Sequence, residues 1–81
     1  MEEFIGTIVR NLVDKPDEVD VKVVESDETI LYELRVGDGD FGKVIGKRGR
    51  NISAIRTILF AINAKEGGKR AMLEIIDQNE Q

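Results

Sequence analysis

Apolar residues recur at helical spacing at the start of the chain, where Phe4, Ile5, Ile8, Val9, Leu12 and Val13 share one face. Glu2 and Glu3 suit the positive end of such a helix, and Pro16 is expected to end it after Asp14-Lys15. The pattern then changes to strict alternation. Val19, Val21 and Val23 alternate with Asp20 and Lys22, and Ile30, Tyr32, Leu34 and Val36 point inward while Glu33 and Arg35 point outward. Ser26-Asp27-Glu28 supplies turn chemistry between the two runs, which therefore read as a β-hairpin.

Gly37-Asp38-Gly39-Asp40 breaks the second strand, and Asp40 is placed to cap a short helix starting at Phe41. That helix lasts only to about Ile45, because Gly46 and Gly49 interrupt it. A longer helix is expected from about Arg50 to Lys65, with an apolar stripe of Ile52, Ile55, Ile58, Leu59 and Ile62, ended by Gly67-Gly68. Lys69 to Ile76 reads as a last strand with Ala71, Leu73 and Ile75 on one face. The order α-β-β-α-α-β predicts an α+β fold, its helices covering one face of a three-stranded sheet. No linker, repeat or low-complexity tract divides the 81 residues. One domain over residues 1–77 with a polar C-terminal tail at 78–81 is the expected organisation.

Composition removes most catalytic chemistry. The chain has no cysteine and no histidine, and its only serines are Ser26 and Ser53. Disulfides, thiol nucleophiles, the usual zinc sites and imidazole-based acid–base schemes are thereby excluded. The expectation is a protein that is not an enzyme and holds no metal or cofactor. No apolar run approaches the roughly 18–20 residues of a membrane span. The acidic start Met1-Glu2-Glu3-Phe4 is unlike a secretory signal, and no lipidation motif is present. A cytoplasmic protein without a membrane partner is expected.

The distribution of charge carries more than its total of −4. Residues 1–40 hold a net charge of −8, residues 41–65 a net of +6, and residues 66–81 a net of −2. The basic segment contains Lys43, Lys47, Arg48, Arg50, Arg56 and Lys65 without a single acid. A basic patch inside an acidic chain makes a local anion site rather than a generally adhesive surface. A solvated basic helix face is the plainer alternative.

Two phosphate-binding patterns overlap here and both fail. Gly37 to Gly42 matches G-x-G-x-x-G, but a dinucleotide site needs a long crossover helix, a following parallel strand and an acid about 20 residues on. Gly37 to Lys43 matches G-x-x-x-x-G-K, but Val44 stands where a magnesium-binding Ser or Thr belongs. The second glycine pair is different. Gly46-Lys47-Arg48-Gly49 joins two amphipathic helices and puts two cations at the loop tip. Glycines let a phosphodiester approach the main chain, and the free N–H groups of the following helix favour an anion. A tight bend between helices, with no ligand, is the competing explanation.

With its neighbours, the stretch Val44-Ile45-Gly46-Lys47-Arg48-Gly49-Arg50-Asn51-Ile52 resembles the core motif of the KH domain, a single-stranded RNA-binding module. The element order is similar to the type II arrangement, with the extra helix and strand at the N-terminal end. The length, with Gly42-Lys43-Val44-Ile45-Gly46-Lys47 and Ala54-Ile55-Arg56-Thr57-Ile58, resembles stand-alone bacterial KH proteins. The resemblance implies that Gly46, Lys47, Arg48 and Gly49 clamp an RNA backbone, flanked by Lys43 and Arg50. It further implies that Val44, Ile45 and Ile52 belong to the apolar floor of a groove for the bases, although Ile45 and Ile52 fit the core equally well. A post-transcriptional regulator or RNA chaperone of low sequence selectivity is implied. Tyr32, in phase with core positions, reads as a core tyrosine rather than a stacking platform.

On the long helix, Ser53, Thr57, Phe60 and Ala64 lie away from the isoleucine stripe. An exposed Phe60 points to a protein interface shared with Thr57 and Ala64; the alternative is a ring folded over the edge of the core. The resemblance implies a partner of this kind, either a second copy or a longer KH-containing protein. A protein-interaction module that keeps the fold and binds little RNA is the competing functional reading.

Overall fold

The computed structural model describes residues 1–77, so the tail at 78–81 lies outside the described residues. Helix α1 spans Glu2–Arg10, a 3₁₀ turn covers Pro16–Glu18, and strands β1 and β2 cover Asp20–Glu25 and Thr29–Val36. Helix α2 (Phe41–Ile45), a second 3₁₀ turn (Lys47–Gly49), helix α3 (Arg50–Glu66) and strand β3 (Arg70–Asp77) complete the chain. The order is the expected one.

The sheet order is β1-β2-β3. β1 and β2 pair antiparallel with Val23 opposite Tyr32, and the hairpin closes where Ser26 N–H donates to the Thr29 carbonyl at 2.9 Å. β3 returns parallel to β2, with Tyr32 opposite Leu73 and Leu34 opposite Ile75. One of the three requirements of a dinucleotide unit, the following parallel strand, is thus met. The other two are not, since α2 has only five residues and no acid occurs between 41 and 65.

Alternation puts Tyr32, Leu34, Val36, Ala71 and Leu73 on the helix-facing side of the sheet, where they are buried with Ile5, Val9, Val44, Ile52, Ile55 and Leu59. Each such large apolar side chain contributes about 1.5–3 kcal/mol by leaving water. Two expectations about this packing need correction. Ile58 is 44% exposed, because α3 meets the sheet along Ile52, Ile55 and Leu59 with Ile62 half-buried, a stripe too narrow to include it. α1 ends at Arg10 rather than near Pro16: Asn11 Nδ2 donates to the Thr7 carbonyl at 2.7 Å, closing the last turn. Leu12 and Val13 still pack against the core from the segment that follows.

Asp40 departs from its expected role as well. Its carbonyl opens α2, accepting from Lys43 N–H at 3.0 Å, but its carboxylate caps nothing in that helix. The side chain is 2% exposed and accepts from the backbone N–H of Asp14 at 3.1 Å and of Lys15 at 2.9 Å. A buried carboxylate must be satisfied by hydrogen bonds, and here it joins the segment after α1 to the start of α2. No helix among the described residues is long and apolar enough to cross a membrane.

Candidate nucleic-acid interface

The loop between α2 and α3 is built by three residues of positive φ. Gly46 has φ 76° and ψ 174°, Arg48 has φ 56° and ψ 27°, and Gly49 has φ 72° and ψ 19°. Arg48 is the only non-glycine among the described residues with positive φ. For an L-residue with a side chain this region costs roughly 1–2 kcal/mol. Such cost persists only where surrounding structure imposes it. Here the imposing groups are the two helices, with Gly46 N–H donating to Gly42 at 2.8 Å and Gly49 N–H to Gly46 at 3.2 Å.

Asn51 locks the same loop. Its Nδ2 donates to the Lys43 carbonyl at 2.9 Å, tying the first turn of α3 to the open end of α2. It also packs on Gly46 so closely that a Cβ there would stand 2.7 Å from Asn51 Cγ. An asparagine directly after G-x-x-G-R is a signal only in hindsight, because its partner is a main-chain carbonyl eight residues back.

This geometry leaves Lys47, Arg48 and Arg50 exposed together at the start of α3. Gly49 offers no side-chain cap, and the first turn of α3 contains no acid. The positive helix end and three cations make the place favourable for an anion. The apolar residues divide. Val44 is fully buried and Ile52 nearly so, so Val44 offers a ligand no surface and supports the loop from below. Ile45 is half-buried and faces the boundary between core and solvent.

Lys43 differs from the other cations. Its Nζ lies 3.0 Å from Asp14 Oδ2 and 3.9 Å from Asp40 Oδ1. The Asp14 carboxylate, through its hydrogen bond and its charge, raises the Lys43 pKa above the usual lysine value. Lys43 therefore stands beside the loop but is already paired.

Further along α3, Phe60 is 46% exposed. With Arg56, Asn63 and the β3 residues Arg70 to Leu73 it lines an open groove of about 450 Å³. Arg56 Nη2 donates to the Leu73 carbonyl at 3.2 Å, so this arginine belongs to the α3–β3 contact and not to the loop cations. Thr57 and Ala64 are exposed on the same helix, and Thr57 Oγ1 donates to the Ser53 carbonyl at 2.9 Å.

Comparison with known proteins agrees with the fold. A family profile described as "KhpA/KhpB, KH domain" matches residues 2–75. The RNA-binding protein KhpA of Chlamydia trachomatis is 51% identical over 78 residues, covering 96% of this chain and 99% of the relative. The protein of the same name from Borreliella burgdorferi is 51% identical over 75 residues, covering 93% and 90% respectively. That of Listeria monocytogenes is 46% identical over 77 residues, covering 95% and 100%. No solved structure matches significantly. With a glycine loop between two packed helices, a mixed three-stranded sheet and a match along nearly its whole length, the chain belongs to the KhpA/KhpB family of KH domains.

Proposed function

We propose that this protein is a non-enzymatic single-stranded RNA-binding protein whose 46–49 loop grips the RNA backbone. One observation carries the reading. The strained loop presents Lys47, Arg48 and Arg50 together at an uncapped, acid-free helix start in a chain of net charge −4. The relatives named RNA-binding protein KhpA support the choice of ligand. Phosphate contacts hold the strand while carrying no sequence information, so intrinsic selectivity is low. A KH loop engages about four nucleotides. The acidic remainder repels RNA elsewhere and favours one docking orientation. The reading includes a single functional domain over residues 1–77, a cytoplasmic location and a role as RNA chaperone or post-transcriptional regulator.

The test is fluorescence anisotropy of a labelled single-stranded RNA across a salt series, with wild type and the Lys47→Asp/Arg48→Asp variant. Wild-type binding should weaken with salt at a log–log slope of roughly −1.5 to −3. The variant, shown folded by circular dichroism, should lose binding. Equal binding by both proteins contradicts the loop mechanism.

A second reading concerns assembly. Phe60 and Met72 are each close to half exposed at the α3–β3 groove, an arrangement that favours contact with another protein chain. A second copy or a longer KH-containing protein is the proposed partner, with Thr57 and Ala64 at the margin. Phe60→Glu should lower the sedimentation coefficient of the self-associated or mixed species. An unchanged coefficient rules this face out.

A further inference from the structure

Lys47, Arg48 and Arg50 have no carboxylate partner among the described residues, whereas Lys43, three positions before the loop, is held by Asp14 at 3.0 Å. Asp14 does not owe its place to that ion pair. Its backbone N–H is bound by the buried Asp40 carboxylate, as is that of Lys15, so residue 14 is pinned beside α2 by main-chain contacts. The fold thus delivers a carboxylate, independently of that carboxylate's own chemistry, to the one flanking lysine of the loop.

We propose that Asp14 is an affinity-setting residue of the RNA site, occupying Lys43 in place of a phosphate. This rests on the reading that the RNA backbone binds at residues 46–49. Both partners are substantially exposed, and exposed pairs of this kind are weak. An arriving phosphate can exchange with the carboxylate, but the exchange returns little, so Lys43 contributes less than its position beside the loop suggests. Asp14 acts as an internal competitor that lowers the grip on any polyanion by one contact. Its substitution leaves the fold's own bonds intact, because residue 14 meets Asp40 through the backbone.

Anisotropy titrations of a labelled mixed-sequence single-stranded oligoribonucleotide across a salt series test this. The variants are Asp14→Asn, Lys43→Gln, their combination, and Asp17→Asn as a control for net charge. Asp14→Asn should bind about three- to fivefold tighter. Its log–log salt slope should steepen by about 0.7, the value of one further phosphate contact on a single strand. Lys43→Gln alone and Asp17→Asn should each change affinity less than about twofold, and the combined variant should lose the gain. A gain in affinity cannot come from damage to the fold. Unchanged affinity in Asp14→Asn, or a gain that survives Lys43→Gln, overturns the proposal. Either result, with Lys47→Asp/Arg48→Asp still abolishing binding, leaves the loop reading standing; RNA binding that survives the loop variant removes the reading beneath both.

Discussion

Gly46 and Asn51 touch across the candidate RNA loop, and the contact leaves no room for a side chain at residue 46. A Cβ there would lie 2.7 Å from Asn51 Cγ and 2.9 Å from Nδ2, the nitrogen that donates to the Lys43 carbonyl. Gly46 is therefore required twice, by its φ of 76° and by its neighbour. Gly49 is required once, since a Cβ there meets only Ile52 Cγ2 at 3.9 Å.

Gly46→Ala should accordingly destabilise the protein more than Gly49→Ala. Gly49 is left-handed helical, where an alanine costs roughly 1–2 kcal/mol. Gly46, at φ 76° and ψ 174°, lies in a region open essentially to glycine alone, and the clash with Asn51 adds to that backbone cost. Urea unfolding of both variants measures the difference. Asn51→Ala in the Gly46→Ala background should recover part of the loss, giving a favourable coupling in the double-mutant cycle. No coupling between Gly46→Ala and Asn51→Ala in that cycle would show that the Asn51 contact carries no weight.

Arg48 holds a left-handed conformation that glycine adopts freely. Arg48→Gly should raise the unfolding free energy by about 1 kcal/mol while weakening RNA binding. Stability and affinity moving in opposite directions is the sign of strain kept for function. A variant both less stable and less able to bind would mean that the arginine side chain supports the fold itself.

Asp40 is the buried charged residue on which the α1–β1 connection depends. Asp40→Ala leaves the N–H groups of Asp14 and Lys15 without their acceptor and should cost about 2–5 kcal/mol, read as a lower urea midpoint. Asp40→Asn keeps one acceptor oxygen and should cost less. A neutral Asp40→Ala would show that water replaces the carboxylate at no cost.

Tyr32 is the only tyrosine in a chain without tryptophan, so tyrosinate absorbance reports on it alone. Burial, then the charges of Glu2, Glu66 and Glu25, raises its pKa above the ordinary value. A group whose folded pKa is raised contributes stability that is complete below the unfolded pKa and is lost as pH rises through the folded one. Stability should hold from neutrality to about pH 10 and fall above it, with Tyr32→Phe reducing that alkaline loss. A spectrophotometric midpoint above that of the urea-unfolded chain checks the direction; a midpoint at or below it contradicts it.

Much of this was legible in the sequence because local rules and the global fold agree. Alternation at Ile30, Tyr32, Leu34 and Val36 and the glycine stop at Gly67, which takes φ 67°, needed no knowledge of distant contacts. What escaped reading depends on contacts between segments far apart. The use of Asp40 by Asp14 and Lys15 spans 26 and 25 residues, and no periodicity announces it. The early end of α1 follows from Asn11 turning back on Thr7, five residues before the proline that the local rules name as the stop. Ile58 satisfies the helical period yet misses the sheet, because a hydrophobic repeat does not state how wide the partner surface is. At the site, the cations and glycines were visible as residue types, while the pairing of Lys43 and the lock by Asn51 were not.

The central claim is that RNA meets this protein at the 46–49 loop. The most direct measurement is a backbone amide NMR titration of the full chain with a short unlabelled single-stranded oligoribonucleotide. Gly46 to Ile52 should shift as one contiguous cluster, with Ile45 beside it and the Phe60–Met72 groove unmoved at low protein concentration. Shifts centred on Phe60 and Met72, with the loop amides unchanged, would contradict the claim.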